Sequence, residues 1–240
     1  MNEHQVSRRA FFRRAGCATV GLAGSLNVLP MRAAQSTTTS LSADQALAKL
    51  KQGNADFLGN KAKAPLLDQR RRLEIARGQT PFAILVGCSD SRVPPELLFG
   101  TGLGELFIVR NAGNTVDTVA LGSIQYGALV LGAPLIVVLG HERCGAVEAA
   151  LSVVQKNTIY PGSIGQMIEP IIPAVLRATS AGGLQGDALL DAAIRQNVQR
   201  TVERLRKSEP SLIEPLREGK LKVVGARYDL DDGKVDFFFE

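Results

Sequence analysis

The run Leu135-Ile136-Val137-Val138-Leu139 leads directly into Gly140-His141-Glu142-Arg143-Cys144-Gly145. A short, continuously apolar run of this kind is typical of a strand that is buried on both faces of a sheet. Three similar runs lie at residues 82–86, 106–109 and 221–224. We therefore predict four buried strands.

Helical patterns separate these runs. One occupies residues 118–131, and a longer helical region before residue 221 has its clearest pattern over residues 188–205. Strands that alternate with helices favour right-handed crossovers and a mainly parallel sheet. Residues 234–239 follow a turn-forming Asp-Asp-Gly and should pair antiparallel with residues 221–224. The predicted fold class is α/β, with a mainly parallel central sheet flanked by helices and an antiparallel C-terminal edge strand.

The segment before the first strand contains a polar tract and two predicted helices. Residues 35–43 are polar and are predicted to form a linker, so the single domain should span residues 44–240. The first helix is indicated by the spacing of its apolar residues, and the second by residues 66–78. Arg70, Arg71 and Arg72 in the second helix fit a solvated face better than a binding patch. The apolar residues of the first helix are Ala46, Leu47, Leu50 and Phe57.

The N-terminus has the parts of an export signal. Arginine pairs at positions 8–9 and 13–14 precede a weakly apolar stretch, residues 15–29, and small residues follow at 33–34. We predict a twin-arginine signal peptide over residues 1–34, and hence a periplasmic or otherwise exported protein. The apolar stretch is too short and too polar to remain in a membrane. The alternative is a basic amphipathic helix that stays attached.

The charge of the chain is concentrated in this segment. The formal net charge is +5, from 28 basic and 23 acidic residues, and residues 1–34 hold five of the basic and one of the acidic ones. The remaining 23 basic and 22 acidic residues leave a net charge of +1. The basicity therefore belongs to the signal, and no nucleic acid partner is expected.

Cysteine and histidine are scarce. The predicted signal contains Cys17 and His4, so the predicted domain keeps only Cys88, Cys144 and His141. Two cysteines far apart in an exported protein ordinarily suggest a disulfide. A second alternative is that both cysteines are buried as apolar residues and that the histidine is a hydrogen-bonded residue of the core. The residues around them favour a metal instead.

Both cysteines lie in motifs at predicted strand ends. Gly87-Cys88-Ser89-Asp90-Ser91-Arg92 follows the strand at residues 82–86, and His141 with Cys144 follows the strand at residues 135–139. Side chains at strand carboxyl ends meet at one edge of a parallel sheet. If the first motif stays extended, Cys88, Asp90 and Arg92 point the same way, while the His-x-x-Cys spacing suits a turn entering a helix. Two thiolates and one imidazole favour zinc with an open fourth position.

These motifs resemble those of the β-class carbonic anhydrases. The resemblance covers most of the predicted mature chain, and the pairing of Cys-x-Asp-x-Arg with His-x-x-Cys at this separation is highly specific. It implies one Zn²⁺ per subunit, held by Cys88, His141 and Cys144, with Asp90 and Arg92 as the catalytic dyad. The segments that carry it are residues 53–57, 88–94, 110–114, 123–126, 140–147 and 224–226.

The family has two site types, and the chain resembles the plant-like one. By that resemblance Gln79, Phe107, Tyr126 and Gly145 line the substrate cleft. The second type has a regulatory bicarbonate pocket that contains tryptophan, and the chain has no tryptophan. The family's usual arginine in the segment at residues 53–57 is Asp56 here, a change that nothing explains.

The implied activity is the reversible hydration of carbon dioxide to bicarbonate and a proton, with zinc activating a water molecule. Two thiolates cancel the charge of Zn²⁺, so we expect activity to rise towards alkaline pH. Asp90 would orient the nucleophile, or become a fourth metal ligand in a closed state, and Arg92 would hold Asp90. His141 is committed to the metal, so no imidazole remains to move protons. The family also implies a homodimer or higher homo-oligomer, with cleft residues contributed across the dimer.

Two rival functions follow from the same residues. One is hydrolysis of carbonyl sulfide or carbon disulfide by the same kind of attack. The other is a non-catalytic zinc protein or assembly subunit, which would need neither Asp90 nor Arg92. A dinucleotide site is disfavoured because the glycines at 100, 102 and 104 precede a strand. A serine triad would lack a free histidine.

Overall fold

A computed structural model describes residues 38–61, 67–207 and 210–240. Its centre is a five-stranded sheet in the order β2-β1-β3-β4-β5. The first four strands are parallel, and β5 pairs antiparallel with β4 at one edge. The strands are β1 (Ala83–Cys88), β2 (Leu106–Asn111), β3 (Leu135–His141), β4 (Lys222–Tyr228) and β5 (Val235–Phe239). The predicted fold class is confirmed.

Helices surround this sheet. They are α1 (Ala43–Leu58), α2 (Gln69–Ile75), α3 (Pro95–Leu98), α4 (Thr118–Gln125), α5 (Gly145–Lys156), α6 (Gly162–Ile168), α7 (Ile172–Ser180), α8 (Gly186–Lys207) and α9 (Pro210–Arg217). A π-helical turn, Tyr126–Val130, continues α4, and a 3₁₀ turn, Glu169–Ile171, joins α6 to α7. Among the described residues, no helix is long and apolar enough to cross a membrane.

Alternation along the strands divides the core between the two faces of the sheet. Leu85 and Val137 belong to an apolar cluster with residues of α1 and α3 on one face. Ile84 and Ile136 belong to a second cluster with residues of α4, α8 and α9 on the other face. Because successive side chains of a strand point to opposite faces, the continuously apolar runs supply both clusters.

The N-terminal helix begins at a capping box. The Ser42 hydroxyl accepts a hydrogen bond from the Gln45 backbone N–H at 3.2 Å, and the Gln45 side chain accepts one from the Ser42 N–H at 2.9 Å. Two N–H groups that a helix start leaves unpaired are thereby satisfied. The predicted signal peptide lies outside the described residues, as do residues 35–37 of the predicted linker.

The structure corrects the predicted C-terminal pairing. Strand β5 pairs with residues 225–228 of β4, where Tyr228 lies opposite Val235, and not with residues 221–224. Strand β4 continues to Tyr228 because Ala226 and Tyr228 are buried on either side of the charged Arg227. A rule based on continuous apolar residues ends the strand too early.

The ligand-bearing strands are also longer than predicted. Strands β1 and β3 end on Cys88 and His141 themselves. The predicted helix over residues 118–131 is α4 followed by the π-helical turn, which begins at Tyr126. Single π-helical turns of this kind are frequent at functional sites.

Candidate metal centre and active site

Three elements bring the predicted metal ligands together. Cys88 and His141 are the last residues of the adjacent strands β1 and β3, and Cys144 is the N-cap of α5. One potential ligand atom from each residue lies within 4.8 Å of the other two. The exposed fraction is 5% for Cys88, 0% for His141 and 1% for Cys144. Both cysteines belong to a buried apolar cluster that also includes Val147 and Ile171. The structure therefore forms the group that the two motifs predict.

The two thiols are not a disulfide. Their Sγ atoms are 4.0 Å apart and both cysteines are free, whereas a disulfide bond is about 2.05 Å long. Two sulfurs and an imidazole at this spacing form a donor set that suits zinc better than magnesium or calcium, which prefer oxygen ligands.

The imidazole of His141 has one committed nitrogen and one unpartnered nitrogen. Its Nδ1 lies 2.8 Å from the backbone carbonyl oxygen of Glu142, so Nδ1 carries the proton and donates it. Its Nε2 is buried and has no hydrogen-bond partner among the described residues. Leaving a buried polar atom unpaired costs about 1–3 kcal/mol. A metal ion would remove this cost, and a carbonyl bond to the other nitrogen is the usual way to orient a histidine ligand.

The sulfur pair favours a thiolate at Cys88. The hydrogen bond from the Cys144 thiol lowers the pKa of Cys88 to about 4, and the same contact together with burial raises the pKa of Cys144. The Gly113 N–H also donates to Cys88 Sγ at 3.3 Å. The thiolate is the form of cysteine that binds metal, so the lowered pKa of Cys88 favours metal binding.

Asp90 lies beside the three ligands and is held by Arg92. Arg92 Nε and Nη2 donate to the two carboxylate oxygens at 2.9 and 2.7 Å, and the Arg92 backbone N–H donates at 2.9 Å. These hydrogen bonds hold the pKa of Asp90 well below its usual range. Its Oδ2 is 3.8 Å from His141 Nε2, so a fixed negative charge borders the ligand group.

The backbone after Cys88 does not stay extended. Residues 91 and 92 form a turn, so the assumption of an extended motif is wrong. Asp90 and Arg92 meet because the Asp90 side chain accepts the N–H two residues later, as aspartate commonly does in turns.

Two residues that support the site were not predicted from the sequence. Arg110, on β2, donates from Nε to the Cys88 carbonyl at 2.7 Å and from Nη2 to the Asp90 carbonyl at 2.6 Å. Gly113 has φ +78, and a Cβ there would lie 2.6 Å from Ile171 Cδ1, so a side chain has no room beside Cys88. Both residues lie in the segment 110–114 that carries the family resemblance, but their spacing alone does not reveal these contacts.

The turn between His141 and Cys144 is held by the hairpin that follows β4. Arg143 adopts a left-handed backbone conformation with φ 49. Its guanidinium donates to both carboxylate oxygens of Asp231 at 2.9 and 2.6 Å, and Glu142 accepts the Leu230 N–H at 3.1 Å. These contacts join the ligand turn to residues almost 90 positions later in the chain.

The predicted cleft residues form two groups. Gly145 directly follows Cys144, and a Cβ placed on it would meet nothing within 4 Å. Phe107 contacts Tyr126, with ring centroids 6.1 Å apart. On β2, Phe107 lies opposite Ile84, whereas Asn111 lies opposite the predicted ligand Cys88. Phe107 is therefore four residues, or about 13 Å, away along the strand from the residue beside Cys88. Gln79 precedes the start of β1 at the same end. A single chain does not bring these aromatic rings to the metal ligands.

This sheet and site are those of a known enzyme family. A family model described as carbonic anhydrase matches residues 83–235. The chain belongs to the β-class carbonic anhydrases.

Relatives and solved structures agree with this assignment. Carbonic anhydrase 2 of Mycobacterium tuberculosis is 40% identical over 186 residues, which cover 78% of this chain and 88% of that protein. The carbonic anhydrase of Mycolicibacterium smegmatis is 39% identical over 187 residues, which cover 78% and 89%. A tetrameric β-carbonic anhydrase from Sordaria macrospora superposes with a TM-score of 0.65 at 25% identity, covering 78% of this chain and 93% of that one. A Coccomyxa β-carbonic anhydrase solved with acetazolamide gives 0.64 at 27% identity, covering 81% and 85%.

Proposed function

We propose that this protein catalyses the reversible hydration of carbon dioxide to bicarbonate and a proton, with one Zn²⁺ per subunit held by Cys88, His141 and Cys144. The observation that carries the proposal is the buried Nε2 of His141, which has no hydrogen-bond partner among the described residues and lies beside two free thiols. The position of Asp90 and Arg92 next to this group supports a reactive centre over a purely structural metal site, which would need neither residue.

When bound, zinc supplies a hydroxide nucleophile by lowering the pKa of a water molecule. The ionised Asp90 carboxylate would accept a hydrogen bond from that nucleophile and so orient it towards carbon dioxide. Arg92 keeps the carboxylate in place with its paired hydrogen bonds. If the hydrogen bonds from Arg92 to Asp90 were broken, the Asp90 carboxylate would be free to become the fourth ligand of the metal, which would give a closed, inactive state.

The charge of the donor set determines the expected pH dependence. With a metal bound, both cysteines would be thiolates and would neutralise the charge of Zn²⁺, so a water on the metal would be less acidic than in a site with three neutral histidines. We expect the hydration rate to rise from pH 6 to pH 9. A rate that stays flat across this range would contradict the argument.

The cleft is proposed to be completed across a subunit interface. Gln79, Phe107 and Tyr126 lie away from the ligands of their own chain, and β2 is an edge strand of the described sheet. In a homodimer or higher oligomer, the same residues of the partner subunit would border the metal centre. The Gln79 amide would then donate to a substrate oxygen, and the rings would form the apolar wall.

Export by the twin-arginine route is part of the proposal. The support is the arginine pairs and short apolar stretch within residues 1–34. This route moves folded proteins, so zinc would protect the thiolates of Cys88 and Cys144 before they reach an oxidising compartment. Fractionation of cells that express the full chain, compared with an Arg8→Lys/Arg9→Lys variant, tests it.

The decisive assay is carbon dioxide hydration by the purified protein before and after a chelator removes the metal. We expect activity that is lost with the metal and restored by Zn²⁺. Parallel assays with carbonyl sulfide and carbon disulfide test the rival hydrolase. Zinc-loaded protein that hydrates no carbon dioxide would overturn the proposal in favour of that hydrolase or of a non-catalytic zinc protein.

A further inference from the structure

A cavity of about 210 Å³ lies beside α8, and its lining includes none of the three predicted metal ligands. One face of α8 lines it with four polar residues at helical spacing. The opposite wall is formed by Thr115, Val116 and two prolines that flank the start of α7. The residues from α8 are Asn197, Arg200, Thr201 and Arg204, and the prolines are Pro170 and Pro173.

The cavity carries positive charge without a countercharge. No lining residue is acidic. Within the part of the chain that the structure describes, neither Arg200 nor Arg204 forms an ion pair, whereas Arg195 on the same helix pairs with two carboxylates. Like charges four residues apart destabilise a helix. Two guanidinium groups that form no ion pair with a described residue therefore lie at one cavity. An anion-binding site requires this arrangement.

The walls of the cavity are held in position before any ligand binds. Asn197 is 3% exposed, and its Nδ2 donates to the Gly113 carbonyl at 2.8 Å. Arg204 donates to the Val116 carbonyl. Both contacts tie α8 to the loop after β2. Arg200 makes no hydrogen bond to any described residue, so its donors remain available.

We propose that this cavity binds a phosphate-type oxyanion through Arg200 and Arg204, with the hydroxyl groups of Thr115 and Thr201 available as further donors. The planar donor fork of arginine matches the oxygens of such an anion, and no negative group in the lining opposes it. The site is separate from the proposed metal centre and does not depend on its activity.

The test is titration of the purified full-length protein with inorganic phosphate by calorimetry. Arg200→Gln removes one guanidinium that supports no structural contact, so we expect roughly ten- to a hundredfold weaker binding. Arg200→Lys keeps the charge but loses the fork, and should give an intermediate loss. Arg217→Gln removes an exposed arginine of α9 outside the cavity and should bind like the parent protein. A metal ion in the proposed metal centre would also attract phosphate. The difference in phosphate affinity between the parent protein and the Arg200 variants therefore measures binding at the cavity.

Glycerol phosphate in a parallel titration distinguishes the source of the group. Equal affinities for both compounds indicate the free oxyanion, and tighter binding of the ester indicates the phosphoryl group of a larger molecule. The proposal is overturned if phosphate up to about 10 mM shows no saturable binding. It is also overturned if Arg200→Gln and Arg200→Lys both bind phosphate as the parent protein does. Thermal midpoints of the variants verify that each is folded.

Discussion

Asp90→Asn separates the reactive role of this residue from metal binding. Asp90 accepts three hydrogen bonds from Arg92, through two oxygens. In asparagine one of those oxygens becomes an NH₂ group, which would face an Arg92 donor now placed at 2.7 Å, so at most one oxygen keeps its contacts. The variant also loses the fixed charge beside His141 Nε2. Removing a positioned proton acceptor typically lowers turnover by about 10²- to 10⁴-fold.

The same substitution should leave the metal in place. The ligand group does not include Asp90, and exposed ion pairs contribute little to folding stability. We expect near-parental zinc content and an almost unchanged thermal midpoint, with hydration measured by stopped flow near the detection limit. Asp187→Asn, an exposed acid on α8, is the matched control and should keep full activity. Turnover within tenfold of the parent, or loss of zinc from Asp90→Asn, would refute the reasoning.

Three further predictions concern the metal, the core and the proton path. Cys144→Ser should reduce zinc from one per subunit to a small fraction, measured by metal analysis, and retention of stoichiometric zinc would contradict the ligand set. Gly53→Ala should destabilise the fold by about 3 kcal/mol in chemical denaturation, because its Cβ would lie 2.0 Å from the Phe99 carbonyl oxygen. Gly122→Ala, in open space on α4, should instead stabilise by about 0.5–1 kcal/mol. His141 is the only histidine after residue 34 and is the predicted metal ligand, so no free imidazole is left to move protons. Turnover should therefore increase with buffer concentration, and a rate that does not depend on buffer would argue for an internal proton shuttle.

The fold class and the grouping of the two cysteines with His141 could be predicted because their signals are local. Continuous apolar runs mark the buried strands, and Cys88, His141 and Cys144 follow two of those runs. They are also the only cysteines and histidine after residue 34. Composition therefore leaves no other thiol and no other imidazole as a metal donor in the predicted domain.

The supporting contacts could not be predicted because they join distant parts of the chain. Arg110 reaches the Cys88 carbonyl only because β1 and β2 are neighbours in register. Asp231 holds Arg143 only because β4 lies beside β3, so that the loop after β4 meets the turn after β3. Local periodicity contains neither strand order nor register.

The amino-acid sequence by itself determined which side chains are candidates for the proposed chemistry, because strand patterns and donor types are properties of short segments. Only the tertiary structure decided how those side chains are held. It leaves His141 Nε2 without a hydrogen-bond partner in the described part of the chain, and it directs three Arg92 donors to Asp90. It also placed Phe107 and Tyr126 away from the ligands of their own chain, because strand register sets that separation. The metal group is thus encoded locally, while the polar contacts around it depend on which elements the sheet makes neighbours.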